Sequence, residues 1–180
     1  MNTYKFLAKG ARGPLSGFLW PSPGTGTAGA WVQAEGPLAL CVNGSHVCRT
    51  GELAHWLHDE LWEVEVDGEH IEGIDCLVAR RARLVRRVDA WHDGGSARFA
   101  AACAEHATEL VDRARPAEAA VVRGFLDDAR LAAREGFVAV SAYSSALAVA
   151  NLGARPERDG FYRQERAWQS GWIARVVIGA

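Results

Sequence analysis

The sequence changes character once, near residue 95, and this change constrains the fold more than any other feature. Residues 10–37 are rich in glycine and proline, which excludes a long helix there and suits short strands and turns. Residues 96–180 are rich in alanine and have apolar side chains at helical spacing. We therefore predict an α+β fold, in which a small, mainly antiparallel sheet from residues 1–95 packs against a layer of about four helices from residues 96–180. A chain of 180 residues can bury one core, so we expect one compact domain.

The clearest strand prediction covers residues 61–67, where apolar and acidic side chains alternate. Period two places Trp62, Val64 and Val66 on one face and Glu63, Glu65 and Asp67 on the other. Asp67-Gly68 is a good turn sequence and is expected to end this strand. Short apolar runs at residues 18–20, 30–32 and 38–41 favour further strands, as does the longer run at residues 76–88, which also fits a helical stripe.

Charge argues against a nucleic-acid partner. The run at residues 76–88 carries five arginines, but pairing it with residues 61–67 would set opposite charges against each other across the ladder. The formal net charge is −2, so no basic field remains to hold a polyanion. The sequence has no apolar run of roughly 18 residues, and we expect no membrane partner. Four cysteines without a secretion signal predict reduced thiols in the cytoplasm.

The densest polar cluster lies just before the predicted strand and suggests acid–base chemistry. A short helix over residues 52–59, capped by Thr50, would bring His55 and Asp59 together at spacing i, i+4. A carboxylate orients an imidazole and tunes it for proton transfer near neutral pH. We assign His55 as acid or base and Asp59 as its orienting partner, with Glu63 or Glu65 as a second carboxylate. The alternative is a solvated helix face.

A small-molecule ligand is the expected partner of this site. Side chains that could contact it combine cations, imidazole and large aromatic rings. The predicted substrate-binding residues are His46, Trp62, Arg83 and Trp168. Trp168 and Trp172 stand at spacing i, i+4, however, and a core stripe that docks the last helix explains them equally well. The oligomeric state is left open, a homodimer included.

Two further patterns are compatible with bound groups, but neither predicts one. Zinc could be ligated by Cys41, His46, Cys48 and His55, although the spacing lacks a Cys-x-x-Cys pair and buried thiols are the favoured interpretation. Residues 24–29 match G-x-G-x-x-G, but prolines on both sides leave no room for the strand and helix that a dinucleotide requires. We predict a loop there, no metal and no organic cofactor.

Residues 54–68 and 165–173 look like a family of small uncharacterised actinobacterial proteins. The resemblance extends over most of the chain. It implies a cytoplasmic protein of a high-GC bacterium, and it implies no activity or site residue.

The sequence thus favours a small cofactor-free enzyme that acts on a small molecule by His/carboxylate acid–base chemistry, as a lyase, cyclase, isomerase or hydrolase. The competing hypothesis is a non-catalytic module that binds a ligand or a protein. A zinc-stabilised module is the third.

Overall fold

The computed structural model describes residues 2–114 and 119–179 and confirms the α+β class. The chain divides into two compact units, Met1–His92 and Asp93–Ala180. The first unit contains a five-stranded antiparallel sheet, and the second contains the helices. Among the described residues, no helix combines the length and apolarity that crossing a membrane requires.

The sheet closes on itself around an apolar core. Its strands are β1 (Thr3–Leu7), β2 (Val32–Gln33), β3 (Ser45–Arg49), β4 (Glu60–Glu72) and β5 (Leu77–Arg87). Because β1 pairs with β3 and β4, and β5 also pairs with β3 and β4, these four strands form a ring, with β2 added along β5. The core consists of buried residues from four strands and the loop after β1, namely Leu7, Ala11, Trp20, Val47, Trp62, Val64, Leu77, Ala79, Ala82 and Leu84.

The strands β4 and β5 confirm the two strongest strand predictions, but the predicted turn at Asp67-Gly68 is wrong. The β4 strand continues to Glu72, and its pairing with β5 shifts register between Asp67 and His70. Gly68 has a φ of +78°, which a β-bulge can use as readily as a turn. The chain reverses later, where the amide of Gly73 donates to the carbonyl of Cys76 at 2.8 Å.

The first part of the chain is less regular than its apolar runs predict. Of residues 18–20, 30–32 and 38–41, only Val32 belongs to a strand, while Leu19 and Ala39 form isolated bridges. The strands β1 and β3 have no counterpart among the predicted elements. Short apolar runs also occur in loops whose side chains fill the core, as Trp20 does here. The predicted loop at residues 24–29 is confirmed.

The predicted helix at residues 52–59 is shorter and of another type. It is a 3₁₀ helix, Thr50–His55, and Arg49 rather than Thr50 occupies the N-cap position. Its first turn is held by Glu52, which accepts a hydrogen bond from the amide of Arg49 at 2.7 Å. Because the helix ends at His55, Asp59 is not its i+4 neighbour on a helical face.

The helical unit contains the four predicted helices, α1 (Ser96–Ala114), α2 (Ala119–Glu135), α3 (Val138–Ala150) and α4 (Arg158–Ile173). Short 3₁₀ and π turns, Arg155–Glu157 and Ala174–Ile178, flank α4. The spacing of Phe137, Val140 and Leu147 predicts an apolar stripe on α3, but this prediction is wrong. Phe137 and Val140 are exposed, and α3 instead buries its alanines and serines. Small side chains let the neighbouring helices approach closely. The predicted proline start of α2, Pro116, lies outside the described residues.

Candidate functional site

The sheet unit contains a cavity of about 620 Å³, open to solvent on one side, beside the end of the β1–β3 ladder. That ladder has only two residue pairs, Thr3–Arg49 and Tyr4–Cys48. Beyond it the strands separate, and loops complete the wall. The lining comes from residues 4–6, 13–16, 32–34, 41–48 and 55–58, together with Phe18 and Trp20. A cavity of this size suits a small organic molecule.

Lys5 contributes the only amine among the described lining residues of this cavity. It pairs with Trp62 across the β1–β4 ladder, so both side chains point to the inner face of the ring. The Nζ atom donates to the carbonyl of His46 at 2.6 Å and lies 5.1 Å from the ring centroid of Trp20. No aspartate or glutamate is among the lining residues that the structure describes. Burial lowers the pKa of Lys5 to about 8, because it disfavours the charged form.

His46, a predicted substrate-binding residue, lines the cavity but has both ring nitrogens bound to the backbone. Its Nε2 accepts from the amide of Cys41 at 2.8 Å, and its Nδ1 lies 3.2 Å from the carbonyl of Gly44. This pair of contacts fits a neutral ring with the proton on Nδ1. Burial lowers the pKa of His46, which favours that neutral form. His46 therefore fastens the 41–44 loop to β3.

Two more imidazoles, those of His55 and His58, line the same cavity. Nε2 of His55 lies 3.7 Å from Oδ1 of Asp75. Nδ1 of His58 accepts from the amide of Asp59 at 2.9 Å and lies 3.4 Å from Oδ2 of the same residue. The structure thus pairs Asp59 with His58. The carboxylate beside His55 is that of Asp75, a residue that the sequence analysis did not single out. The catalytic roles assigned to His55 and Asp59 stay predictions.

The predicted second carboxylates, Glu63 and Glu65, take part in cross-strand ion pairs on the outer face of the sheet. Glu63 pairs with Arg86 and Glu65 with Arg83, at nitrogen–oxygen distances of 2.5 and 2.6 Å. Two further pairs, Asp67–Arg81 and Glu69–Arg80, continue the row. The guanidinium of Arg83 also lies 4.5 Å from the ring centroid of Trp31. The charge-paired sheet face is confirmed, and neither carboxylate is among the cavity-lining residues described.

Trp62, predicted to bind substrate, is a core residue tied to a buried carboxylate. Its Nε1 donates to Glu60 at 3.0 Å, and Glu60 also accepts from the amides of Gly10 and Ala11, both at 3.0 Å. Burial alone would raise the pKa of Glu60, but these donors outweigh it and lower the pKa. Glu60 therefore fixes the tight turn after β1, a role that the sequence analysis missed.

Trp168, the last predicted substrate-binding residue, belongs to the helical unit and stacks on His106. The two rings are 3.8 Å apart and nearly parallel, while Trp172 packs against Phe99. Both tryptophans are only half-buried, so the core-stripe interpretation is not confirmed; the buried positions of α4 are Glu165, Arg166, Gln169, Ser170 and Ile173. Nδ1 of His106 lies 2.9 Å from Oε2 of Glu165, beside a second cavity of about 430 Å³.

The helical unit thus contains a buried carboxyl paired with a half-buried imidazole, which the sequence analysis missed. Burial raises the pKa of Glu165 to about 7 and lowers that of His106. Gln169 is the nearest further polar group to Glu165, with Nε2 at 3.4 Å from Oε1. The signal in the sequence was weak, because Glu165 follows a polar helical stretch that gives no sign of burial.

The cysteines are free thiols, and the cavity walls give no metal-binding arrangement. Within residues 2–114 and 119–179, no group of three or more His, Cys, Asp or Glu side chains is placed to hold a metal ion. Cys48 donates to the carbonyl of Tyr4 at 3.4 Å, and burial raises its pKa to about 12. Such a thiol packs as a small apolar side chain. No known family, curated protein or solved structure matches this chain.

Proposed function

We propose that this protein is an enzyme that acts on a small molecule by acid–base chemistry in the cavity of the sheet unit, without an organic cofactor. The observation that carries the proposal is Lys5, which lines a cavity of about 620 Å³ and whose Nζ has a carbonyl rather than a carboxylate as its bonded partner. Lys5 takes the place that the sequence analysis gave to a His/carboxylate pair. The rings of His55 and His58 lie on the same wall.

Proton transfer near neutral pH needs a group that is easily converted between its acid and base forms. An exposed lysine has a pKa near 10.4 and is almost entirely protonated at neutral pH. With its pKa lowered to about 8, Lys5 is partly neutral and can accept a proton and return it. The hydrogen bond to His46 fixes the direction of the amine while leaving two of its three ammonium N–H groups for a ligand.

The walls define the class of ligand. Phe18, Trp20, Val32 and Val47 supply apolar surface, and Lys5 supplies one cationic donor. A ligand that matches this wall has an apolar body and one oxygen that accepts a hydrogen bond. Such a molecule would bury its apolar part and compensate the desolvated ammonium.

A second candidate function is a non-catalytic module that binds the same class of ligand. The observation that favours it is the bonding of His46, whose two ring nitrogens both contact the backbone. The nearest imidazole to Lys5 is therefore structural. The two candidates differ in the fate of the bound ligand. The enzyme removes a proton from the ligand and converts it to product, whereas the binding module releases the ligand unchanged.

The elimination of 5-nitrobenzisoxazole tests the proposal, because this apolar probe opens its ring when a base removes one carbon-bound proton. We expect wild-type protein to accelerate the reaction above buffer, with a rate that rises through about pH 8 as Lys5 loses its proton. Lys5→Met should abolish the acceleration, and Lys9→Met, which changes an exposed lysine, should keep it.

Equal rates for wild type and Lys5→Met would refute Lys5 as the base. Binding of the probe without acceleration by wild type would instead support the binding module. Circular dichroism of each variant establishes that the compared proteins are folded.

A further inference from the structure

We propose that Lys5 is a carbonyl-binding nucleophile, so that the substrates of this cavity are small aldehydes or ketones that form an imine with its Nζ. This inference rests on the proposed function for its cavity and its ligand class. It adds a covalent step and a chemical class of substrate.

The position of Lys5 suits a nucleophile. Its backbone lies in a strand that pairs with β4 along its whole length, from Thr3–Val64 to Leu7–Glu60, so the side chain starts from a fixed point. The β1–β3 ladder ends at Tyr4–Cys48, one residue earlier, which leaves space beside Lys5 on that edge. Lys5 therefore lines the cavity from a rigid element.

The surroundings of Nζ fit the product of the reaction as well as the free amine. A protonated imine retains one N–H group and one positive charge. The carbonyl of His46, 2.6 Å from Nζ, can accept that remaining N–H, and the face of Trp20 at 5.1 Å attracts the charge. Imine formation removes two of the three ammonium N–H groups, and the carbonyl of His46 is the one acceptor that Nζ has among the described residues, so it can hold the N–H that remains.

The absence of a carboxylate among the described lining residues matters for reactivity. An aspartate or glutamate beside an amine stabilises the ammonium and raises its pKa, which suppresses attack on a carbonyl. Burial among apolar walls has the opposite effect and lowers the pKa of Lys5 to about 8. Lysines that form imines in proteins are activated in this way.

Imine formation at Lys5 proceeds through a carbinolamine and releases water. The neutral amine attacks the carbonyl carbon, forming a carbon–nitrogen bond and, after proton transfer, a carbinolamine. Loss of its hydroxyl as water then breaks the carbon–oxygen bond and forms the imine. We assign these proton transfers to His58, which lines the same cavity and whose Nδ1 accepts from the amide of Asp59, so that the ring proton is on Nε2. Hydrolysis reverses these steps and frees Lys5.

The chain offers an internal control, because Lys5 and Lys9 are its only lysines. Lys9 is exposed on the turn after β1, four residues along the same segment. Any aldehyde that reacts with amines without using the cavity should modify Lys9 and the α-amino group at least as readily as Lys5.

Benzaldehyde with cyanoborohydride tests the inference, because the reductant converts an imine into a stable benzyl amine. At neutral pH we expect mass-spectrometric peptide mapping to find Lys5 benzylated at least about tenfold more than Lys9, since burial lowers the pKa of Lys5 to about 8 and leaves part of it neutral. In urea-unfolded protein the two lysines should react about equally. Lys9→Arg should leave the labelling of Lys5 unchanged, and Lys5→Arg should remove the preferred site.

Equal labelling of Lys5 and Lys9 in folded wild type, or labelling of Lys9 alone, would overturn the inference without requiring any variant to fold. The 5-nitrobenzisoxazole reaction separates the two proposals. Elimination that depends on Lys5, without imine trapping, would leave the acid–base function intact and refute the carbonyl class. Failure of both reactions would remove both proposals.

Discussion

Nδ1 of His106 lies 2.9 Å from Oε2 of Glu165, and the same imidazole stacks on Trp168 at 3.8 Å. Glu165 is almost fully buried, so its ionisation must be supported by a few neighbours instead of by water. Burial raises the pKa of Glu165 to about 7 and lowers that of His106. Both shifts favour the neutral form of the group concerned.

Glu165→Gln should change how stability depends on pH. The unfolded carboxyl has a pKa near 4.5 and the folded one near 7, so the folded state binds more protons between these values. The stability that Glu165 contributes is fully present below pH 4.5 and is lost as pH rises through 7. Urea unfolding should show wild type losing roughly 1–3 kcal/mol relative to Glu165→Gln between pH 5 and 8. Glu105→Gln, at an exposed position of α1, should show no such change, and a flat difference for Glu165→Gln would contradict the prediction.

Lys5→Met should stabilise the protein at neutral pH. The variant keeps an unbranched side chain of similar length and removes a desolvated charge. Since the folded pKa of Lys5 is about 8 and the ordinary value is 10.5, the wild type carries the full penalty below pH 8 and loses it as pH rises to 10.5. We expect Lys5→Met to unfold at higher urea at pH 7, by roughly 1–3 kcal/mol, and the gain to vanish near pH 10.5. A gain of the same size in Lys9→Met would show that the effect is not specific to the buried amine.

Glu60→Gln should destabilise the sheet unit. The carboxylate accepts three hydrogen bonds, from Gly10, Ala11 and Trp62, and an amide would turn an NH₂ group toward some of these donors. Leaving buried donors without acceptors costs about 1–3 kcal/mol. The neighbouring Asp59→Asn, at an exposed site with one backbone donor at 3.2 Å, provides the control and should lose less than half as much in urea unfolding. Equal losses would show that the three hydrogen bonds do not decide the stability of this turn.

The features of the fold that the sequence predicted are those that local patterns encode. The alternation at residues 61–67 identifies β4 because period two is a property of consecutive residues. Arg81 and Arg83 of β5 face the acidic row at alternate positions, and a register shift between Glu63 and Val64 brings Arg86 opposite Glu63. The same local reasoning cannot distinguish a turn from a bulge at Asp67-Gly68, since both use a glycine at positive φ.

The candidate site was predicted only in part, because its character arises from residues far apart in sequence. The sequence indicated the imidazoles of His46 and His55, and the structure places both among the residues that line the cavity. It gave no sign that Lys5 belongs to the same site. The acceptor of Lys5 is 41 residues away, at His46, and only the folded chain places Lys5 over Trp20. Glu165 was missed for the same reason: its partner, His106, is 59 residues away. Burial of a single charged side chain is a property of the packed structure and leaves little trace in its neighbours along the chain.

Gly44→Ala should destabilise the cavity wall through both backbone strain and a steric clash. Gly44 has a φ of +122°, and a Cβ there would overlap Cγ1 of Val78, a buried side chain of β5, and lie 2.9 Å from Cδ2 of Leu38. The carbonyl of Gly44 also contacts the ring of His46, so a shift of this residue disturbs the loop beside the cavity. We expect a loss of about 2–4 kcal/mol in urea unfolding, because strain and overpacking add.

Gly36→Ala is the matched control: its φ is +71° and no atom lies within 4 Å of the added Cβ, so it should lose only about 1 kcal/mol. Equal losses at the two glycines would show that the contact with Val78 relaxes at no cost and that the wall beside His46 is softer than its packing implies.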